Sequence, residues 1–311
     1  MASVYSRRGP GAAETGCFLA GLPVFRQSLA VPASGKRLTV RFWGVRGSVA
    51  SPGPRTLRTG GNTSCVEVDC AGQKVIFDLG TGLRALGTAL MKRGPVRAQI
   101  FVSHYHWDHI AGLPFFAPAY DPKSELVIHG ATRRGRDVRQ ILSGQMLDPY
   151  FPVDLGILNA RLRFVTLNDG GMVRLGKRLT VRAAELNHPG GALGFRLECG
   201  GRTMVYATDF EHGTAADERL VELARGADLL VFDAQFTPAE YEGNGVPARR
   251  GWGHSTYEAG AQIARRAGVR RLALYHHAPD RDDKGVERLA LLAKKLHRGS
   301  FAAREGMQVT L

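Results

Sequence analysis

Apolar and polar residues alternate over residues 38–43 (LTVRFW) and 66–70 (VEVDC), and a shorter apolar run follows at 74–77. Alternation with period two predicts half-buried strands, and the turn at Ala71–Gly72 joins the second and third into a meander. Residues 83–92 change to helical spacing, with Leu83, Leu86, Leu90 and Met91 on one side. The short β-branched run 99–103 (QIFVS) reads as a buried strand, and further strands are predicted at 126–129, 179–182, 202–208, 229–232 and 270–275. Helical patterns cover 133–146, 257–267 with Ser255 or Thr256 as its cap, and 286–297 with Leu289, Leu292 and Leu296 inward. Glycine and proline punctuate the chain at 44–54 and 148–152, so these stretches read as loops.

The chemistry concentrates directly after the strand at 99–103, where His104, His106, Asp108 and His109 fall within six residues. A strand end projects His104 and His106 the same way, while Asp108 and His109 turn toward a second position beside them. Neutral imidazole and carboxylate suit a borderline divalent metal such as zinc, with manganese or iron as other occupants, whereas a cluster this dense would repel itself when protonated.

This HxHxDH run resembles the signature of the metallo-β-lactamase superfamily. The resemblance implies an α/β fold, a four-layer αβ/βα sandwich in a single domain, holding two divalent metal ions. It also implies ligands further along the chain: His188 in the turn 188–191, Asp209 at the end of the strand 202–208 as the bridge between both metals, and a histidine after the strand 270–275. His276 and His277 both stand there, and His276 directly follows the strand. One ion would then be held by His104, His106 and His188, and the other by Asp108, His109 and His276.

Residues 44–48 (GVRGS), 60–65 (GGNTSC) and 78–82 (DLGTG) resemble a bacterial phosphodiesterase-like subset of that superfamily. There the position of Asp78 lies behind the ligands and fixes an imidazole tautomer; the alternative is a plain strand-ending aspartate. Asn62 and Thr63 either meet a phosphate oxygen or stabilise a turn. Residues 251–258 (GWGHSTYE) resemble the segment before the last ligand in RNase Z. By that resemblance His254 protonates the departing alkoxide or steadies phosphoryl charge, supported by Asp233, and Asp108 joins it among the catalytic groups.

The resemblance implies a metal-dependent hydrolase that cleaves a cyclic nucleotide or another small phosphodiester. The alternatives are an RNase Z-like ribonuclease on tRNA precursors, a thioester or lactone hydrolase, and a metal-binding regulator without turnover. No stretch repeats the long basic Gly/Pro arm with which RNase Z grips tRNA. Arg133, Arg134, Arg136 and Arg139 face either a nucleotide or water, and His129 reads as structural.

Composition adjusts this picture in three places. Of the 311 residues 44% are hydrophobic, enough for a core, and 42 Lys and Arg against 28 Asp and Glu leave a net charge of +14, which favours anionic partners. A small phosphodiester or nucleotide is the expected partner, nucleic acid a further candidate, and a homodimer an open option for assembly. Residues 1–36, rich in Gly, Ala, Ser, Pro and Arg, read as a poorly ordered extension ahead of a hydrolase domain at 37–311. Pro23 and two glycines interrupt the early apolar region, against an export leader, and no apolar run approaches a membrane span. Cys17, Cys65, Cys70 and Cys199 are too few and too scattered for a disulfide framework, so a reducing, cytoplasmic compartment is expected.

Overall fold

A computed structural model describes residues 37–70 and 72–311. The extension expected at 1–36 lies outside the described residues. The first half of the described chain supplies β1 (Leu38–Gly44), β2 (Cys65–Cys70), β3 (Gln73–Phe77), β4 (Arg97–Phe101), β5 (Glu125–Gly130) and β6 (Arg161–Thr166). The second supplies β7 (Met172–Leu175), β8 (Leu179–Leu186), β9 (Ala192–Cys199), β10 (Arg202–Ala207), β11 (Leu229–Asp233), β12 (Arg271–Tyr275) and β13 (Ser300–Ala302). A last strand, β14 (Gln308–Thr310), returns to pair antiparallel with β1, so the described residues form two mixed sheets, ordered β14-β1-β2-β3-β4-β5-β6 and β13-β12-β11-β10-β9-β8-β7.

The sheets pack face to face over an aromatic interior. Phe77 lies 5.2 Å from Tyr206 and 5.5 Å from Phe195 between ring centroids, so side chains from both sheets interdigitate. Helices cover the outer faces: α1 (Gly82–Met91) on the first sheet, and α4 (Ala216–Ala224), α6 (Tyr257–Arg266) and α7 (Asp283–Leu296) on the second. Between α1 and α4 lie two short helices, α2 (Trp107–Ile110) and α3 (Val138–Gly144), and α5 (Pro238–Glu242) precedes α6. The result is the four-layer αβ/βα sandwich, and β11, covered on both faces, is buried at every position.

Three expectations need correction. The helix at 133–146 shrinks to α3, because Arg134 and Gly135 take left-handed backbone in a tight turn and Asp137 starts the helix with a reciprocal cap to Gln140. The last helix starts at Asp283, capped by Asp282, and buries Val286, Leu289 and Ala293, while Leu296, the next position of the same stripe, ends the helix and is exposed. Cys70 and Cys199 form a disulfide; they end β2 and β9, 129 residues apart, and meet only because the two sheets stack. Among the described residues, no helix is long and apolar enough to cross a membrane.

Candidate metal centre

The strand directions place the site. β3 and β4 run parallel in one sheet and β10, β11 and β12 run parallel in the other, so their carboxyl ends deliver Asp78, the 104–109 loop, Asp209, Asp233 and His276 to one region. Asp78, Asp209 and His276 take positive φ angles of 61°, 54° and 57°, a conformation that costs an L-residue energy and persists only where the surroundings hold it. Each turns sharply as its strand gives out.

Three groups of donors result among the described residues, the third of which, Asp209, Asp233, His254 and His276, shares Asp209 and His276 with the second. In the first, His106 Nδ1 lies 3.0 Å from His104 Nε2 and 3.1 Å from His188 Nε2, with Asp209 Oδ2 at 3.5 Å from His104 Nε2. In the second, His109 Nε2, His276 Nε2 and Asp108 Oδ2 stand 3.1–3.2 Å apart, and Asp209 Oδ1 is 3.2 Å from His109 Nε2 and 3.1 Å from His276 Nε2. Asp209 therefore faces one group with each oxygen. Of these residues His106 alone is exposed.

The outer partners show that the inward nitrogens carry lone pairs. His188 Nδ1 donates to the Gly253 carbonyl at 2.8 Å, and His109 Nδ1 donates to Asp78 Oδ2 at 2.8 Å. His276 Nδ1 donates to Gln235 Oε1 at 3.2 Å, and His104 Nδ1 to Ser103 Oγ at 3.1 Å, whose own proton goes to Asp78. With each Nδ1 proton committed, the neutral form of each ring turns an Nε2 lone pair inward, toward the other rings and the Asp108 and Asp209 carboxylates. Such crowding is repulsive without a cation between the donors, so the set fits divalent metal binding, and the outer bonds fix the tautomers a metal requires.

Protein groups alone already bias these side chains. Burial pulls His104 and His188 well below and below the ordinary imidazole range, respectively. Burial opposes ionisation of Asp209, yet His276, His109 and His104 outweigh it and hold the carboxyl well below its ordinary range. His109 is also disfavoured as a cation by burial, but Asp108, Asp209 and Asp78 more than compensate and raise it.

Beside the first two groups stands His254, whose Nδ1 is 2.8 Å from Asp233 Oδ2 and whose ring stacks on that of His276 at 5.0 Å. Burial disfavours its imidazolium; Asp233, with further help from Asp209 and Asp108, outweighs this and pushes His254 up to about 9. Glu211 accepts from the backbone N–H groups of Gly251 and Gly253 and so orders the loop that carries it. A Cβ at Gly253 would collide with the His188 ring, and one at Gly47 with the His276 ring, which explains a glycine at each.

The remaining sequence candidates are spread around this centre. Asp78 is buried and accepts from Ser103, His109 and Tyr206. Asn62 and Thr63 are engaged elsewhere: Asn62 donates to Glu305, and Thr63 packs against Thr81, which bonds both. His277 turns away from the donors, its Nε2 donating to the Ala303 carbonyl at 3.0 Å. Arg133 pairs with Glu185, and His129 stacks on Phe101. Sequence reasoning missed Ser48, whose backbone N–H donates to Asp108 Oδ2 at 2.7 Å, and Gln235, Ser103, Tyr206 and Glu211. Residue type carries no signal for these; strand-end position does for Gln235, two residues past Asp233, and for Ser103, two past β4.

Comparison with known proteins bears on the family and the fold. Residues 73–277 match the family model described as beta-lactamase superfamily domain. A Ribonuclease Z from Natronomonas pharaonis is 31% identical over 288 residues, covering 77% of this chain and 86% of that protein. Among solved structures, the short form of human tRNase Z superposes with a TM-score of 0.63 at 22% identity, over 87% of this chain and 98% of that one. Zinc-bound PqqB from Methylobacterium extorquens gives 0.65 at 18% identity, over 88% and 100%, and at these identities both show the fold alone. With the sandwich, the converging donors and these relatives together, the chain belongs to the beta-lactamase superfamily, in its RNase Z-like branch, and is a metallo-β-lactamase-fold hydrolase.

Proposed function

We propose that the chain is a metal-dependent phosphodiesterase that uses two divalent cations, zinc being the best match to its imidazole-rich donors. The observation that carries this reading is the Asp209 carboxylate, which offers one oxygen to His104, His106 and His188 and the other to Asp108, His109 and His276. Bound there, the cations would supply a water of lowered pKa as nucleophile and neutralise charge on the phosphoryl oxygens.

The protein's own residues do the rest. Asp78, Ser103, Gln235 and the Gly253 carbonyl hold four imidazoles in the metal-binding tautomer. Asp233 keeps His254 protonated, so that its Nε2–H can be given to the departing alkoxide, and Asp108 is oriented by the Ser48 amide. A thioester would have less need of such a proton donor, because a thiolate leaves readily without protonation; this supports a phosphodiester over a thioester.

Two substrates fall within this reading. The relatives named Ribonuclease Z favour RNA, with tRNA precursors as the first candidate. Cyclic nucleotides or other small phosphodiesters are the second, favoured by the absence in this sequence of a long basic Gly/Pro arm. The test is a panel of precursor tRNA, cyclic nucleotides, bis-p-nitrophenyl phosphate and a thioester on zinc- and manganese-loaded protein. Phosphodiesters should be turned over faster than the thioester, and a preference for the thioester would overturn the proposal.

A further inference from the structure

A second concavity adjoins the metal centre. It has a volume of about 410 Å³ and is walled by Phe236, Val246, Trp252, Pro279 and two arginines, Arg249 and Arg281. Its floor is Ser48 and Gln235, which bond to each other at 3.2 Å. Three of these residues also touch the centre: the Ser48 amide donates to Asp108, Gln235 accepts from His276, and the Phe236 ring lies edge-on to that of His254 at 5.9 Å. The cleft is thus continuous with the place where a phosphoryl group would sit.

Its chemistry is that of a base pocket. Trp252 is two residues before His254 and remains 54% exposed, an unusual position for an indole with no burial to gain from it. The Arg249 guanidinium lies over its ring at 4.4 Å and Val246 beside it is exposed, so a flat platform carries both a π-face and a positive charge. The Glu211 bonds to Gly251 and Gly253 hold the backbone on either side of Trp252. Arg281 bonds to Glu240 and the Gln235 carbonyl and so is held in the same wall.

We propose that this cleft binds the nucleobase adjoining the scissile phosphate, with Trp252 as its stacking platform and Arg249 reinforcing the stack. The substrate class is therefore a nucleoside phosphodiester rather than an alkyl one. The inference rests on the phosphodiesterase reading. Stacking of a base on an aromatic side chain is worth on the order of a tenfold to hundredfold change in affinity per base.

The test compares two chromogenic phosphodiesters with the same leaving group, thymidine 5′-(p-nitrophenyl phosphate) and methyl p-nitrophenyl phosphate, in metal-loaded protein. Wild type should prefer the nucleoside ester; Trp252→Ala should reduce the ratio of the two kcat/KM values about tenfold to a hundredfold, while Trp252→Phe keeps most of it. Calorimetric binding of adenosine 5′-monophosphate and ribose 5-phosphate supplies the second readout. Adenosine monophosphate should bind more tightly to wild type, and that preference should collapse in Trp252→Ala. Hydrolysis of neither ester, together with no cleavage of precursor tRNA, would overturn the phosphodiesterase reading, and the binding comparison would still decide the cleft. Equal binding of the two phosphates to wild type, or a preference unmoved by Trp252→Ala, overturns the base pocket.

Discussion

The Asp78 carboxylate accepts the His109 Nδ1 proton at 2.8 Å, and both side chains are fully buried. The same carboxylate accepts from the Ser103 amide, the Ser103 hydroxyl and the Tyr206 hydroxyl, so four donors converge on one buried group. Asp78→Asn keeps the shape but presents an N–H where a proton acceptor is needed. Outer partners of this kind are worth about 10- to 100-fold in metal affinity. Titration of the metal-free variant with zinc should therefore show weakening of about that size, and unchanged affinity would remove Asp78 from the tautomer-fixing role.

Asp209 occupies a different position, because it faces the first two donor groups at once. Asp209→Ala should abolish turnover and lower the bound metal measured by plasma emission. Asp209→Asn, which retains the volume, separates loss of charge from a packing defect. Wild-type rates in either variant would refute a bridging carboxylate.

The Cys70–Cys199 link joins the two sheets across 129 residues of chain. Constraining the unfolded chain over so long a loop stabilises the folded protein by about 2–4 kcal/mol. A reductant, or the Cys70→Ala/Cys199→Ala double substitution, should lower the urea midpoint by a corresponding amount, and a non-reducing digest should contain the linked peptide. A digest with both cysteines alkylated would mean that no such link forms.

What the sequence discloses here follows from where the chemistry sits. The run from His104 to His109 is legible because its donors are neighbours in the chain, and Asp209 and His276 because each ends a recognisable hydrophobic strand. The helix at 257–266 is similarly plain from its spacing and from Thr256 as its cap. Ser48 and Tyr206 are not legible, since Ser48 acts through its backbone N–H and Tyr206 reaches Asp78 only by stacking of one sheet on the other, and residues of these types occur throughout the chain. The disulfide is hidden for the same reason. The exposed Leu296 shows the limit of period counting near a helix end, where the last turn leaves the surface it packs on.

His129 gives a pH test independent of catalysis. It is buried, its Nε2 donates to Gln99 Oε1 at 2.8 Å, its Nδ1 has no partner, and its ring stacks on Phe101 at 4.5 Å. Burial, aided by Arg163, lowers it from 6.5 to about 4. The folded state thus prefers the neutral ring, and the unfolded chain binds the proton first as pH falls. The stability tied to the neutral form is fully present above about 6.5 and is lost progressively between 6.5 and 4. Between pH 7 and 5 the loss is on the order of 2 kcal/mol. His129→Phe keeps the stack and removes the titration, so urea unfolding at those two pH values should show a smaller difference in the variant. An equal difference in both proteins would show that other groups dominate.

His254 separates metal holding from proton delivery, because its ring lies beside the donors while its Nδ1 is committed to Asp233 at 2.8 Å. A residue that protonates a leaving group contributes about 10²- to 10⁴-fold to rate without contributing to metal affinity. His254→Ala should therefore cut turnover of an alkyl phosphodiester by that factor while bound metal stays at the wild-type level. It should affect a p-nitrophenyl ester much less, since p-nitrophenolate leaves without protonation. The dependence on the leaving group discriminates: equal losses on both esters would assign His254 to charge stabilisation on the phosphoryl oxygens, and a parallel loss of metal would make it a ligand. Asp233→Asn, which leaves the ring in place but removes the carboxylate that keeps it protonated, should reproduce the leaving-group dependence with a smaller rate loss.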